Sequence, residues 1–241
     1  MVKAVFFDLY NTLVQFWPPV DEIQQAACRE LGLGVEKVDL RRGYVIADEY
    51  FNRANVEKPL ALLTSTEQSQ FFATYEQLIL REAGLDVTVE LARQVWGMAS
   101  LVHKDLVLFD DVIPALAGLK RRGMTIGVIS NLRTDIGDMT GMRQLSPYLD
   151  FCVTSKEAGA EKPEAPIFLE ALERANVDPV EALHVGDQYQ SDIEGAKAVG
   201  ITPVLLDREG WHQNVENCYK VRSLLDLEQM LGVAGEAHGQ F

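Results

Sequence analysis

Three short polar clusters hold the residues able to do chemistry, and each follows an apolar run. Asp8-Leu9-Tyr10-Asn11-Thr12 follows Ala4-Val5-Phe6-Phe7, and Ser130-Asn131 follows the run 124–129. Gly186-Asp187, with Asp192 five residues on, follows Ala182-Leu183-His184-Val185. If those runs are strands of one parallel sheet, the clusters lie at its carboxyl ends, where ligands of open α/β sheets bind. Convergence there would place Asp8, Asp187 and Asp192 in one small site. Carboxylates that close repel, and one must take up a proton unless a cation lies among them. Hard oxygen donors with few histidines nearby point to Mg²⁺. A single aspartate at a strand end is equally a helix cap; three clusters in register are harder to read that way. His184, inside a strand, reads as a structural residue rather than a base.

The elements that must position these clusters follow from the hydrophobic pattern. Residues 4–7, 124–129, 151–153, 182–185 and 204–206 are continuous apolar runs, the pattern of strands covered on both faces. Between them lie helical faces with stop signals, such as Val112, Ile113, Leu116 and Leu119 before Gly123. Another helix follows Pro163 and ends near Asn176, and a third runs from Asp192 to Gly200. Alternation of this kind predicts an α/β fold with a doubly wound parallel sheet. Residues 15–107 show helical spacing instead, as in Phe71, Phe72, Tyr75, Leu78 and Ile79 before Gly84, and no convincing strand. The expected organisation is a core of residues 1–14 and 108–231, an inserted all-helical cap over 15–107, and a disordered tail at 232–241.

Composition narrows the function classes. The chain has 241 residues and a formal net charge of −14, from 22 Lys and Arg against 36 Asp and Glu. That balance opposes binding to nucleic acid or to an anionic membrane surface. A small anionic substrate is compatible only where positive charge is supplied locally. No apolar run approaches the length of a membrane span, and the N-terminus lacks the pattern of a secretory signal. Three cysteines, odd in number and without a CxxC, are expected to be reduced thiols of a cytoplasmic protein.

In order, the strings DLYNTL at 8–13, ISN at 129–131, EKPEAPIF at 161–168 and VGDQYQSD at 185–192 resemble the four motifs of the haloacid dehalogenase superfamily of aspartate-nucleophile hydrolases. The helical insertion after the first motif resembles that family's C1-type cap. The resemblance implies a Rossmann-like core in which strand one is flanked by strands two and four. It implies that Asp8 is the nucleophile, that Lys162 neutralises charge on Asp8 and on the transferring group, and that Thr12, Ser130 and Asn131 hold the substrate's anionic oxygens. It further implies Mg²⁺ bound by Asp8, the Tyr10 carbonyl and Asp187, with Asp192 as a direct or outer partner.

One position departs from the family's phosphatases. They carry an acid/base Asp two residues after the nucleophile, and here that position is Tyr10. A positioned acid is worth ~10²–10⁴ in rate, and a phenol with a pKa near ~10 replaces it poorly. The string DLYNT is similar to 2-haloacid dehalogenases of the superfamily, which expel halide without protonation or metal. Those enzymes, however, replace the acidic pair that this chain keeps as Asp187 and Asp192. The mixture resembles the branch of haloacid dehalogenase-like hydrolase domain-containing protein 3. The expectation is an enzyme: a Mg²⁺-dependent phosphohydrolase acting through an aspartyl phosphate on a small metabolite with a good leaving group. A metal-free 2-haloacid dehalogenase using Asp8 and a low-turnover Mg²⁺- and phosphate-binding module stay open as alternatives.

Overall fold

A computed structural model of the chain describes residues 1–58, 60–132 and 142–237. The chain divides into two compact units, Met1–Gln15 with Leu106–Phe241, and Phe16–Asp105. From the N-terminus, β1 (Ala4–Phe7) and β2 (Val14–Trp17) precede four helices, α1 (Val20–Glu30), α2 (Lys37–Glu57), α3 (Ser65–Glu82) and α4 (Val89–Ser100). There follow β3 (Asp105–Leu108), α5 (Val112–Arg121), β4 (Thr125–Ser130), α6 (Met142–Leu145), β5 (Phe151–Thr154) and α7 (Ser155–Ala158). The chain continues with α8 (Ala165–Ala175), β6 (Ala182–Gly186), α9 (Gly195–Ala198), β7 (Thr202–Leu206), β8 (Tyr219–Val221) and α10 (Asp226–Ala237).

In the first unit six strands form a parallel sheet in the order β5-β4-β1-β6-β7-β8. Alternation along β1 shows why its sequence is apolar throughout. Val5 and Phe7 join the cluster built with Val112, Leu116 and Leu119 of α5 and Leu227 of α10. Ala4 and Phe6 join the opposite cluster, with Ile167, Phe168 and Ala171 of α8 and Ala196 of α9. Both faces are covered, so neither tolerates a polar residue. The register pairs Phe7 with Val128 of β4 and with Val185 of β6, so the residues that follow all three strands emerge side by side.

The second unit is a helical bundle around Ile23, Cys28, Leu40, Phe71, Tyr75, Ile79 and Val95. α3 begins at a capping box in which the Thr64 hydroxyl accepts from the Glu67 N–H and Glu67 reaches back. α2 and α3 approach closely at Gly43, where a Cβ would lie 2.4 Å from the Ile79 carbonyl oxygen.

Three differences from the sequence reading have physical causes. β8 has two exposed residues, Tyr219 and Lys220, as befits an edge strand paired on one side, so it shows no apolar run. Val14–Trp17 and Asp105–Leu108, within and beside the span read as free of strands, pair as a two-stranded sheet. They do so with mixed exposure and no clean alternation. The tail expected to be disordered from residue 232 is helical to Ala237, because α10, anchored on the core by Leu227 and Leu231, propagates through Gly232. Residues 238–241 lie outside the described part. Among the described residues no helix is long and apolar enough to cross a membrane.

Candidate active site

Where β1 ends, the backbone closes one tight turn. The Asp8 N–H extends the β1–β6 ladder by donating to the Val185 carbonyl at 2.9 Å. The Leu13 and Val14 N–H groups then both donate to the Leu9 carbonyl, at 2.8 and 3.0 Å. The turn needs a left-handed residue at Asn11 (φ 60°), a conformation that Asn tolerates better than most residues. It leaves the Asp8 carboxylate slightly exposed and buries Thr12 completely, with its hydroxyl donating to Asp187 Oδ1 at 3.3 Å. Tyr10 is half-buried and packs on the cluster beneath α5 and α10.

Lys162 is buried and held at both ends. Its backbone N–H donates to Asn131 Oδ1 at 2.6 Å, and its carbonyl accepts from Asn131 Nδ2 at 3.0 Å. The Asn131 carboxamide, expected to face a substrate, is instead committed to placing the lysine. Ser130 ends β4 beside it, 4% exposed. Lys162 Nζ lies 2.5 Å from Asp8 Oδ1 and 2.6 Å from Asp192 Oδ1, so one ammonium joins two carboxylates.

Asp192 belongs to a π-helical turn, Tyr189–Glu194, an irregularity frequent at functional sites. The turn folds it back over the end of β6, where a Cβ on Gly186 would lie 2.2 Å from Asp192 Oδ2, so only glycine fits. Asp192 Oδ1 also meets His184 Nε2 at 3.0 Å, and Oδ2 accepts the Gln188 N–H at 3.0 Å. Three of its roughly four acceptor positions are therefore taken. His184 is fully buried, and burial lowers its pKa and favours the neutral ring. Donation from Nε2–H to Asp192 then leaves Nδ1 as an acceptor, and that atom has no partner among the described residues. The sequence reading placed His184 as structural; the structure makes it an anchor for Asp192.

The electrostatics follow from burial and pairing. Burial pushes the Asp8 carboxyl up to about 6, against the Lys162 ammonium that lowers it. Asp192 is equally buried, yet the Lys162 ammonium and the His184 hydrogen bond hold it well below the usual carboxylate range. Burial opposes the charged form of Lys162, but Asp192 and Asp8 more than offset that, and its pKa is raised. Carboxylate oxygens of Asp8, Asp187 and Asp192 lie within 4.8 Å of one another. When ionised, three carboxylates face one ammonium, a charge of −2 that an anionic substrate cannot approach unaided. The all-oxygen donor set fits a hard divalent cation.

Sequence reasoning missed Arg208 and Asp111. Arg208 lies two residues beyond the end of β7 and forms a two-pronged ion pair with Asp111, at 2.8 and 3.0 Å. The strand-end rule that singles out Asp8 also covers Arg208; its absence from the four motifs hid it.

A doubly covered parallel sheet with an aspartate, a buried lysine and an acidic pair at its carboxyl ends defines a haloacid dehalogenase-type hydrolase. Residues 2–200 match the family model for haloacid dehalogenase-like hydrolases, and the chain belongs to that family. Human haloacid dehalogenase-like hydrolase domain-containing protein 3 is 30% identical over 85% of this chain and 82% of its own. A glyceraldehyde 3-phosphate phosphatase of Methanopyrus kandleri is 30% identical over 90% of this chain and 88% of its own. Among solved structures, a 2-haloacid dehalogenase from Pseudomonas syringae pv. Tomato is 27% identical, with a TM-score of 0.55 over 96% of this chain and 99% of that one.

Proposed function

We propose that this hydrolase is a Mg²⁺-dependent phosphatase that acts through an aspartyl phosphate on Asp8. The observation that carries the reading is the excess of negative charge: three carboxylates lie within 4.8 Å of one another, and one lysine pairs with two of them, Asp8 and Asp192. Asp192 has a use without metal, because it anchors Lys162 and His184. Asp187 is the carboxylate that a halide-expelling enzyme has no use for, and it faces the nucleophile. Asp8, the Tyr10 carbonyl and Asp187, with Asp192 as a direct or outer partner, would hold Mg²⁺, which would supply the positive charge that lets a phosphate approach.

The chain's own residues do the rest. Lys162 fixes one oxygen of Asp8 and leaves the carboxylate to attack phosphorus. The P–O bond to the leaving group breaks, and the electron pair departs with that oxygen. Ser130, at the end of β4, holds a transferring oxygen; the buried Thr12 hydroxyl, expected to do the same, is spent on Asp187, and Asn131 acts by placing Lys162. Water then attacks the phosphorus of the aspartyl phosphate, releasing inorganic phosphate and regenerating Asp8.

Tyr10 stands where the family's acid/base Asp would stand. Without a positioned acid, the leaving group must depart unprotonated, which favours acyl and aryl phosphates among small phosphorylated metabolites. The test compares acetyl phosphate, p-nitrophenyl phosphate and a simple alkyl phosphate, with Mg²⁺ and with chelator, using Asp8→Asn as control. Mg²⁺-dependent turnover of the first two, lost in Asp8→Asn, supports the proposal. Metal-independent chloride release from 2-chloropropionate sinks it in favour of a dehalogenase. Stabilisation by Mg²⁺ with beryllium fluoride and no turnover points to a binding module.

A further inference from the structure

Arg208 ties together several segments near the site. Its Nη1 and Nη2 pair with Asp111 at 2.8 and 3.0 Å, and Nη2 also donates to the Thr12 carbonyl at 3.0 Å. The guanidinium carbon sits 4.0 Å from the centre of the Phe109 ring. Asp111 Oδ2 further accepts from the Ser223 hydroxyl at 2.7 Å and the Leu224 N–H at 2.9 Å. The loop that carries Arg208 is itself fastened, because the Asp207 carboxylate accepts the Trp211 and His212 N–H groups at 2.9 and 3.1 Å. Arg208 Nε is buried without a partner among the described residues, a desolvation cost borne in holding this geometry. On the other side of the same residue, the Thr12 hydroxyl donates to Asp187.

We propose that Arg208 is a positioning residue of the active site: by gripping the Thr12 carbonyl it sets the Thr12 hydroxyl against Asp187, and so holds Asp187 in place to receive a divalent cation. This rests on the phosphatase reading above. Thr12 is the only link needed, since its carbonyl and its hydroxyl belong to one rigid residue of a closed turn. Arginine is suited to the task because its planar fork pairs with a carboxylate and still spares a donor, which a lysine ammonium does with less order.

The test titrates MgCl₂ into the full-length protein and follows its melting temperature, alongside Mg²⁺ activation of acetyl phosphate hydrolysis. Arg208→Lys should weaken the apparent Mg²⁺ affinity by ~10-fold or more, the range of partners that orient metal ligands. Thr12→Val should do the same, and the double variant should be no worse than Thr12→Val, because both act through one link. Asp111→Asn, which leaves Arg208 able to reach Thr12, should lower the metal-free melting temperature yet keep the Mg²⁺ affinity within about twofold. Should Arg208→Lys fail to fold, Arg208→Gln, which keeps a donor for the carbonyl, takes its place with a smaller loss of Mg²⁺ affinity, still beyond the twofold limit set for Asp111→Asn. Arg208 variants that are less stable but bind Mg²⁺ as wild type does overturn the inference and leave the phosphatase reading intact. So do additive losses in the double variant, or equal losses in Asp111→Asn. No Mg²⁺ response in the wild type overturns the phosphatase reading, and the inference with it.

Discussion

Glu76 is an acid buried in the helical unit, and its neutral form is the one the fold accommodates. It is fully buried on α3. One oxygen meets the Gln24 carboxamide, whose own oxygen accepts from the Tyr44 hydroxyl at 3.0 Å. The other oxygen, Oε1, has no partner among the described residues. Burial pushes the carboxyl up to about 8, against a usual 4.5, and the Gln24 hydrogen bond only partly opposes it. Between those two values the folded unit keeps the proton and the unfolded chain releases it. Fewer protons bound on unfolding means that stability falls as pH rises, by about 1.4 kcal/mol per pH unit. The loss reaches about 3 kcal/mol at pH 7 and levels off near 5 kcal/mol above pH 8. Glu76→Gln keeps the shape and removes the titration. It should therefore be more stable than the parent by about 3 kcal/mol at pH 7, a gap that shrinks to under about 1 kcal/mol at pH 5. Asp48, which burial pushes up to about 6 despite the Tyr75 hydrogen bond, is common to both proteins and cancels in the difference. Trp96, stacked on Phe72 at 4.6 Å, reports unfolding of this unit by fluorescence. The experiment is urea unfolding from pH 5 to 9 in a Trp17→Phe/Trp211→Phe background. A gap independent of pH, or a variant less stable than its parent at pH 8, would show that Glu76 is ionised and partnered in the fold.

Four further outcomes are expected. Tyr10→Asp supplies the missing acid and should raise the rate on alkyl phosphates by ~10²–10⁴ while changing acetyl phosphate hydrolysis little, read from kcat with each substrate. Asp192→Asn breaks a buried pair and, in either amide orientation, sets a donor against a donor; it should cost about 3–5 kcal/mol, lowering the melting temperature by on the order of 10 °C. Asp187→Asn, which weakens the 3.3 Å hydrogen bond from the Thr12 hydroxyl, should cost about 1 kcal/mol while abolishing the Mg²⁺ response. Gly43→Ala gains helix propensity of about 1 kcal/mol, but its methyl would meet the Ile79 carbonyl at 2.4 Å. The backbones must part, so the net should be a loss of about 1–3 kcal/mol in chemical denaturation.

What the sequence discloses depends on range. The sheet was legible because a strand buried on both faces needs an apolar side chain at every position, and β1 has one at each. Strand-end polar residues stood out against those runs, so Asp8, Ser130, Asp187 and Asp192 could be named. β8 and the β2–β3 pair were not legible, because half-exposed strands impose no such demand.

The pairings within the site lay beyond any local pattern. Lys162 meets Asp8 across 154 positions, and Arg208 meets Thr12 across 196. Contacts of that kind exist only because β1 lies between β4 and β6, an order that no periodicity in the chain encodes. The family motifs supplied that order for Lys162, because it falls within one of them, but not for Arg208. The same limit explains the altered role of Asn131. A strand-end amide has the chemistry to bind an anion, and only the approach of Lys162's backbone, set by the crossover from β5 through α8 to β6, turns it into a clamp for the lysine. Asp8→Asn and Asn131→Ala should therefore fail differently: the first loses the attacking group, while the second keeps it and releases the cation that orients it.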